Sequence, residues 1–310
     1  MIGVVLAMAV ARGPAGEVPR VPTADGTVVR SVEVDGRRRS FRLHVPPASA
    51  LEGPLPLVLV FHGGGSTGLG MERESGFSAL ADREGFLVVY PEGIGRSWSD
   101  GRGDRTTPAA RQGIDDVRFV NRVIDVLMAE HEVDRGRVYA TGISNGAILS
   151  HLLATKLSDR IVAIAPVAGG LAEPLAQSFR PSRPVSVLAL QGTEDPLVPY
   201  SGGAVGRRGR GSIVSTDAML GLWRRFNSTE EIGREDTLAD RAPRDGCRVH
   251  ARAWTGGREG SEVALYRLEG AGHTWPGGTQ YLPSRSIGRV CRDIDGATVI
   301  WEFFRRHVRH

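Results

Sequence analysis

The chain has 310 residues, of which 41% are apolar, so it is long enough to bury one large core. One α/β domain of this size is ordinary, and two domains need not be invoked. The formal net charge is only +4 and comes mainly from arginine. The main basic cluster, at 206–211, contains no aromatic residue, and a solvated loop accounts for it. We therefore expect no nucleic-acid partner.

An apolar run at 2–11, followed by R-G-P-A-G, opens the sequence. Its length suits the apolar core of a signal peptide and is too short to span a bilayer, although no basic segment precedes it. A buried N-terminal strand is the alternative interpretation. We expect residues 1–26 to be a signal peptide and leader and residues 27–310 to form one domain. The protein would then be secreted, extracellular or periplasmic, without stable membrane insertion.

In chain order, two alternating strands are predicted at 27–34 and 39–45, around a D-G-R turn that is typical of a hairpin. The apolar run at 55–61 indicates a strand that is buried on both faces of a parallel sheet. The sequence further predicts helices at 71–84, 117–128, 146–157, 215–226 and 294–306, and strands at 86–90, 137–142, 161–167, 185–191, 248–254 and 262–268. This alternation predicts an α/β fold with a mostly parallel sheet and right-handed crossovers.

Three short segments follow predicted strands and carry side chains that suit nucleophilic catalysis. They are, in chain order, G-I-S-N-G at 142–146, Q-G-T-E-D-P at 191–196 and A-G-H-T-W at 271–275. They would supply Ser144 as nucleophile, Asp195 as orienting acid and His273 as general base. The order Ser, Asp, His is that of α/β-hydrolases. The sequence therefore predicts that fold, with helices on both faces of the sheet and no large lid domain.

The pattern G-x-S-x-G occurs twice, because residues 64–68 also contain it. Both copies follow apolar strands, so the pattern alone does not choose between Ser66 and Ser144. Position does, because the glycine-rich segment around Gly64 lies after an earlier strand, where this fold builds its oxyanion hole. We therefore assign Ser144 as the nucleophile. The backbone N–H groups of Gly64 and Asn145 are the expected oxyanion donors.

The other two assignments also have rivals. Glu194 is adjacent to Asp195 and is the nearest alternative acid. Of eight histidines, only His273 lies in a Gly-rich loop after a late strand.

Four aromatic residues flank the predicted site loops and are predicted to line an acyl pocket, with core packing as the alternative for at least two of them. They are Trp98, Tyr200, Trp275 and Tyr281. No cluster of His, Cys and Asp has the spacing of metal ligands, so neither a metal nor another cofactor is expected.

These motifs resemble those of the secreted esterase family that includes polyhydroxybutyrate-depolymerase-like proteins and feruloyl esterases. The similar segments are F-H-G-G-G (61–65), S-W-S-D-G-R (97–102), D-D-V-R-F-V (115–120), D-R-G-R-V-Y-A-T-G-I-S-N-G (134–146), D-P-L-V-P-Y-S-G-G (195–203), G-H-T-W-P-G-G (272–278) and D-I-D-G-A-T-V-I-W-E-F-F (293–304). The resemblance spans about residues 30–306 and implies the same triad of Ser144, Asp195 and His273.

The two cysteines, Cys247 and Cys291, allow one disulfide, and two separate buried thiols are the alternative. Many members of the resembled family carry a cysteine pair at places that look like Thr229 and Gly257 here, so the family's usual bridge cannot form. Polymer-degrading members often have a cysteine where this chain has Gly64, which weakens a claim on insoluble polymer.

The sequence as a whole predicts a secreted serine esterase that hydrolyses short-chain, phenolic or hydroxyalkanoate oligomer esters through an acyl-enzyme intermediate. Its partner would be a small-molecule or oligomeric ester. A polyhydroxybutyrate depolymerase, an acetyl-xylan esterase or a peptidase would use the same machinery, and a non-catalytic binding protein on this fold is a further alternative. The acyl group, the alcohol and the oligomeric state are not identified by the sequence.

Overall fold

The structure is a computed structural model that describes residues 21–22, 26–47, 53–206 and 210–310. The predicted signal peptide and leader at 1–26 lie almost entirely outside the described residues, so they stay a prediction. Within the part of the chain that the structure describes, every helix is too short or too polar to cross a bilayer.

Thirteen strands are found in the described residues. They are β1 Val21–Pro22, β2 Thr27–Val34, β3 Arg37–His44, β4 Leu55–Phe61, β5 Leu87–Pro91, β6 Val133–Ile143, β7 Ala163–Val167, β8 Ser186–Gly192, β9 Gly203–Ala204, β10 Ser212–Ile213, β11 Arg234–Thr237, β12 Arg248–Trp254 and β13 Val263–Glu269. Eleven of them form one sheet in the order β1-β2-β3-β5-β4-β6-β7-β8-β13-β12-β11, and β9 pairs with β10.

The six central strands of this sheet, from β5 through β4, β6, β7 and β8 to β13, are parallel to their neighbours. Antiparallel strands extend the sheet at both ends. The predicted hairpin at 27–34 and 39–45 is present as β2 and β3. The prediction of a mostly parallel central sheet is confirmed.

Nine α-helices are found in the same described ranges. They are α1 Gly68–Ser75, α2 Phe77–Glu84, α3 Pro108–Arg111, α4 Asp116–Glu130, α5 Asn145–Lys156, α6 Glu173–Gln177, α7 Thr216–Asn227, α8 Ser284–Ile287 and α9 Gly296–Phe304. Four of the longer helices begin with a side chain that accepts a hydrogen bond from a first-turn N–H group, namely Thr67, Asp115, Ser215 and Asp295. These caps explain why the helices start where they do.

One helix was expected over 71–84, and the structure has two. Gly76 separates α1 from α2 with a left-handed backbone at φ 74°. A helix cannot continue through that conformation, and glycine adopts it without a steric penalty. Helical periodicity continues across the break, so it does not reveal the turn.

Two apolar cores lie on opposite faces of the sheet, as the fully buried strand β4 shows. Leu57, Leu59 and Phe61 of β4 belong to one core, and Val58 and Val60 belong to the other. The alternation follows from the two-residue period of a strand. Helices α4, α5 and α7 contribute buried residues to the first core, and α1, α2 and α9 contribute to the second. Because both faces are covered, the loops at the strand ends remain accessible for a site.

Cys247 and Cys291 form a disulfide bond, with their Cα atoms 5.4 Å apart. The bond ties the segment before β12 to the segment after α8. Gly277 N–H donates to Cys291 O at 2.8 Å, and Gly272 N–H donates to Arg289 O at 2.9 Å, so the tied segment packs on the loop that contains His273. The sequence left open whether these cysteines are paired, and the structure pairs them.

Removing this crosslink with Cys247→Ala/Cys291→Ala should lower the free energy of unfolding by about 2–4 kcal/mol. The closed loop spans 44 residues, and opening it restores conformational entropy to the unfolded chain. Urea unfolding of the oxidised wild type and the double variant measures the difference. A difference below about 1 kcal/mol would contradict the stabilising role.

Candidate active site

The candidate nucleophile stands on a sharp turn between β6 and α5. Ser144 has a left-handed backbone with φ 58° and ψ −119°, although it is not a glycine. Its N–H donates to Val167 O at 3.0 Å, and its carbonyl accepts from Ile148 N–H at 3.0 Å. Its neighbours in the strand and the helix are buried, whereas Ser144 is half-buried. The turn therefore presents one hydroxyl at the carboxyl edge of the sheet, at the expense of backbone strain.

The glycines of G-I-S-N-G are required by close packing around this turn. A Cβ atom at Gly142 would lie 2.5 Å from Phe61 O, and one at Gly146 would lie 2.4 Å from the same oxygen. A Cβ at Gly169 would lie 2.8 Å from Ser144 O. Backbone atoms cannot give way as flexible side chains can, so the turn needs glycine at these places.

The second G-x-S-x-G has a different geometry. Ser66 has a negative φ and lies just before Thr67, which caps α1. A Cβ at Gly65 would meet no atom within 4 Å. Gly68 of this motif is packed, because a Cβ there would lie 2.8 Å from Tyr90 O. What separates the two motifs is the serine, because Ser66 lacks the positive φ of Ser144, although Ser66 does line the same cavity.

An acid and a histidine meet after the next strands. Asp195 follows β8 and His273 follows β13, and His273 Nδ1 lies 2.7 Å from Asp195 Oδ2. The other oxygen of Asp195 accepts from the N–H groups of Leu197 and Val198, each at 2.8 Å. Both side chains are buried. An ionised Asp195 accepts the Nδ1 proton, which leaves Nε2 of a neutral His273 free to accept a proton.

The rival acid does not take part in this pair. Glu194 is exposed, and its N–H donates to Ala271 O at 2.9 Å. The His273 loop is held in addition by Tyr281, whose hydroxyl donates to His273 O at 2.9 Å.

Ser144 and His273 line one cavity, but in this structure no described residue hydrogen bonds to Ser144 Oγ. Contacts of this kind are often long in the absence of substrate and tighten in the reacting complex. The structure thus brings Asp195 and His273 into direct contact and places Ser144 in the cavity that His273 lines.

The predicted oxyanion donors are adjacent. A Cβ at Gly64 would lie 3.8 Å from Asn145 Cβ, so the two backbones approach closely. Gly65 N–H donates to Arg96 O at 2.8 Å, whereas Gly64 N–H has no acceptor among the described residues. Asn145 is the first residue of α5, where backbone N–H groups lack intrahelical acceptors. Two N–H groups beside Ser144 suit a developing negative charge.

The Asn145 side chain holds the neighbouring loop. Its Oδ1 accepts from Trp98 N–H at 2.8 Å, and its Nδ2 donates to Asp100 Oδ2 at 2.6 Å. Asp100 also contacts Arg102 at 3.0 Å. Burial raises the pKa of Asp100 to about 6, although the Arg102 guanidinium acts in the opposite direction. Sequence reasoning missed this network, because nothing in the sequence says that Asp100 meets Asn145.

His62 holds the glycine-rich segment after β4 through hydrogen bonds of its ring. Its Nδ1 donates to Gly63 O at 2.8 Å, and its Nε2 accepts from Gly93 N–H at 3.1 Å. Burial lowers the pKa of His62 to about 4, so the ring is neutral and this pattern of donor and acceptor is stable. His62 therefore shapes the oxyanion segment and does not titrate in the neutral range.

The predicted aromatic lining is placed differently by the structure. Trp98 is fully buried, and its Nε1 donates to His62 O at 2.9 Å. Its ring therefore packs in the core and does not line the cavity. Trp275 is also buried, in the second core. Tyr200 lines a separate cleft of about 390 Å³. Of the four, Tyr281 lines the cavity with Ser144 and His273.

The cavity has a volume of about 640 Å³, which is within the usual range for small-molecule sites. Its apolar lining residues include Met71, Leu197, Val198, Val205, Leu282 and Ile287. Within the described residues, the acidic and sulfur groups that come closest to a metal-like cluster are Cys247, Cys291 and Asp293. The two sulfurs are bonded to each other, so they offer no thiolate to a metal.

Another buried histidine lies in α5, and it makes the fold sensitive to acid. His151 Nδ1 accepts from Trp223 Nε1–H at 3.2 Å, and burial lowers the pKa of His151 to about 3. The unfolded chain binds this proton below pH 6.5 and the folded chain does not, so stability falls as pH falls.

In wild type, His151 should lower the free energy of unfolding by about 2 kcal/mol as the pH falls from about 7.5 to about 5. The free energy of unfolding of His151→Gln should therefore fall by about 2 kcal/mol less than that of wild type between these pH values. Urea unfolding at about pH 7.5 and at about pH 5 measures both changes. His310→Gln, which changes an exposed terminal residue, is the matched control. Equal pH dependence in wild type and His151→Gln would contradict the argument.

The chain is similar in sequence and in fold to known esterases and depolymerases. The family model described as Esterase PHB depolymerase matches residues 39–178. The esterase candidate NocK from Nocardia uniformis subsp. tsuyamanensis is 34% identical over 296 residues, covering 92% of this chain and 85% of that protein. Poly(3-hydroxyalkanoate) depolymerase C from Paucimonas lemoignei is 34% identical over 128 residues, covering 41% of this chain and 30% of that protein. Among solved structures, the acetyl xylan esterase from Aspergillus awamori matches with a TM-score of 0.56 at 15% identity, covering 79% of this chain and 94% of that chain.

The sheet, its flanking helices and these similarities define an esterase of the α/β-hydrolase fold, acting on carboxylic ester bonds. Within that class, the chain belongs to the family described as esterase PHB depolymerase. The resemblance drawn from the sequence motifs is confirmed.

Proposed function

We propose that Ser144, His273 and Asp195 form a catalytic triad that hydrolyses esters through an acyl-enzyme intermediate. The observation that carries this proposal is the 2.7 Å contact between His273 and Asp195, together with the cavity that His273 and Ser144 both line. A histidine that is oriented by a buried carboxylate is the base that a serine hydroxyl needs.

In the first step, His273 Nε2 removes the Ser144 Oγ proton as Oγ attacks the ester carbonyl. The carbonyl oxygen becomes an oxyanion, and the N–H groups of Gly64 and Asn145 donate to it. The tetrahedral intermediate then collapses, and the leaving alcohol takes its proton from His273. Water repeats the sequence on the acyl-enzyme, and this releases the acid and restores Ser144.

The cavity supports short-chain, phenolic or hydroxyalkanoate oligomer esters as the substrate class. Its volume accommodates a small molecule, and Leu197, Val198 and Ile287 provide apolar contact for an acyl chain or a ring. Relatives named for polyhydroxyalkanoate and for acetyl xylan suggest two alternatives within the same chemistry. A panel of feruloyl, acetyl, butyryl and 3-hydroxybutyryl esters tests the proposal. Failure to hydrolyse any of them would overturn it.

We expect soluble 3-hydroxybutyrate oligomers to be hydrolysed at least tenfold faster than polyester granules at equal enzyme concentration. Ser144 lies inside a cavity, so a polymer chain must leave the solid before its ester reaches the hydroxyl. Initial rates of 3-hydroxybutyrate release from the two substrates give the comparison. Equal rates would favour the depolymerase alternative.

Export to an oxidising compartment is part of the proposal. The Cys247–Cys291 disulfide supports it, because such bonds persist mainly outside the reducing cytosol. The apolar run at 2–11 is consistent with it. Cell fractionation of the source organism tests it, and recovery of the protein from the cytosol with free thiols would contradict it.

A further inference from the structure

The lining of the cavity is rich in arginine. Arg96, Arg102 and Arg210 line the cavity, whereas Glu74 is the one carboxylate among its described lining residues. Glu74 is already engaged by Thr279, whose backbone N–H and Oγ1 both donate to it. A substrate that enters the cavity therefore meets an excess of positive charge.

Two segments of the fold carry these arginines. Arg96 and Arg102 belong to the same loop between β5 and α3. A Cβ at Gly211 would lie 2.0 Å from Arg102 O, so the segment carrying Arg210 packs directly on Arg102. The segment of Arg210 thus lies beside Arg102, and Arg96 lies on the loop that carries Arg102.

The charge of Arg102 is compensated by carboxylates in direct contact, whereas Arg96 and Arg210 make no such contact with a carboxylate of the described residues. Arg102 is buried and contacts Asp100 and Asp104, each at 3.0 Å. Arg96 and Arg210 are exposed, and neither forms an ion pair with a carboxylate of the described residues. Arg96 Nε donates to Ser66 O at 3.5 Å. Burial raises the pKa of Glu92, and the Arg96 charge acts to lower it. Two guanidinium groups are therefore available to a ligand in the cavity.

The backbone of Arg96 is held in place beside the oxyanion segment. Its φ is 60°, an uncommon value for a residue with a Cβ atom. Its carbonyl accepts from Gly65 N–H at 2.8 Å, and its own N–H donates to Gly93 O at 3.3 Å. Strained backbone of this kind persists where surrounding structure enforces it, and it occurs preferentially at functional sites. The Arg96 side chain thus starts next to the place where the ester carbonyl is expected.

We propose that Arg96 and Arg210 form a carboxylate-binding subsite, so that the preferred substrates are esters that carry a free carboxylate. This inference rests on the proposed esterase function. A guanidinium group binds a carboxylate with two parallel hydrogen bonds, and it keeps its charge at every working pH. Val198 and Val205 line the same cavity and contact the hydrocarbon between the ester and the carboxylate.

Two matched pairs of substrates test the subsite on either side of the ester. On the acyl side, 4-nitrophenyl hydrogen adipate is compared with 4-nitrophenyl hexanoate. On the alcohol side, 4-acetoxybenzoate is compared with its methyl ester. In at least one pair, kcat/KM of the carboxylate substrate should exceed that of the neutral substrate about fivefold or more, and added salt should reduce this ratio.

Variants then assign the preference to the two arginines. Arg96→Gln and Arg210→Gln should each reduce the ratio about threefold or more, and the double variant should abolish the preference. Arg122→Gln is the matched control, because Arg122 is an exposed arginine on α4, outside the cavity. A wild-type ratio of one in both pairs, or a ratio that the double variant leaves unchanged, would overturn the inference.

Binding without turnover separates this inference from the proposed function. Calorimetric titration with adipate should show binding to wild type that weakens at least threefold in Arg96→Gln/Arg210→Gln. If neutral esters are hydrolysed but adipate does not bind, the carboxylate subsite is contradicted and the proposed esterase function stands. If adipate binds but no ester is hydrolysed, the proposed catalytic triad is contradicted and the anion-binding site stands.

Discussion

Ser144→Ala is expected to lower kcat for a good ester substrate by 10⁴-fold or more. The change removes the oxygen that forms the acyl-enzyme, and the remaining groups can only position water. Alanine fits the site, because the Ser144 side chain makes no hydrogen bond to a described residue and caps no N–H group of α5. Steady-state assays with the best ester of the panel give the loss, and urea unfolding shows whether the fold is retained.

Ser66→Ala is the control for this substitution, because Ser66 carries the second G-x-S-x-G and lines the same cavity. It should keep at least a third of wild-type activity, since Ser66 lacks the strained backbone that presents the Ser144 hydroxyl. Comparable losses of activity in Ser66→Ala and Ser144→Ala would contradict the assignment of Ser144 as the nucleophile.

Asp195→Asn is expected to lower kcat by about 10⁴-fold without unfolding the protein. The N–H groups of Leu197 and Val198 both donate to Oδ1, so the amide oxygen must take that place. The amide NH₂ then faces His273 Nδ1 and donates to it. This places the ring proton on Nε2, and His273 can no longer accept the Ser144 proton.

Glu194→Gln is the matched control, because Glu194 precedes Asp195 in the same loop and is exposed. It should retain nearly full activity. An Asp195→Asn variant within tenfold of wild type would show that the carboxylate does not orient the base. Assays of both variants at saturating substrate isolate the effect on kcat.

The candidate triad could be placed from the sequence because each member follows a predicted strand. Parallel strands end at one edge of the sheet, so Ser144 after β6, Asp195 after β8 and His273 after β13 are brought to the same edge. Asp195 and Glu194 are adjacent in the sequence, so their positions along the chain do not decide which one orients the histidine. The structure decides it, because Asp195 contacts His273.

The aromatic residues show where such reasoning stops. Trp98 and Trp275 flank site loops in the sequence, but proximity along the chain does not say which way a ring points. Trp98 turns inward because its Nε1 finds the carbonyl of His62 and its ring packs against Phe61. Tyr200 and Tyr281 are both accessible, yet they line different clefts.

The arginines of the cavity are likewise not recognisable as a group in the sequence. Arg210 belongs to a basic cluster that a solvated loop explains, and Arg96 belongs to a Gly-rich loop without a distinctive pattern. Their significance depends on loop conformations that bring both to one cavity. Periodicity predicts helices and strands well, but it carries no information on such loops.

The most direct test of the account is to identify the residue that a fluorophosphonate probe modifies. The probe reacts with a serine hydroxyl that a neighbouring base has activated. We expect a single adduct by intact mass, located on Ser144 by peptide sequencing and absent from Ser144→Ala. An unmodified protein, or an adduct on Ser66, would contradict the proposed triad.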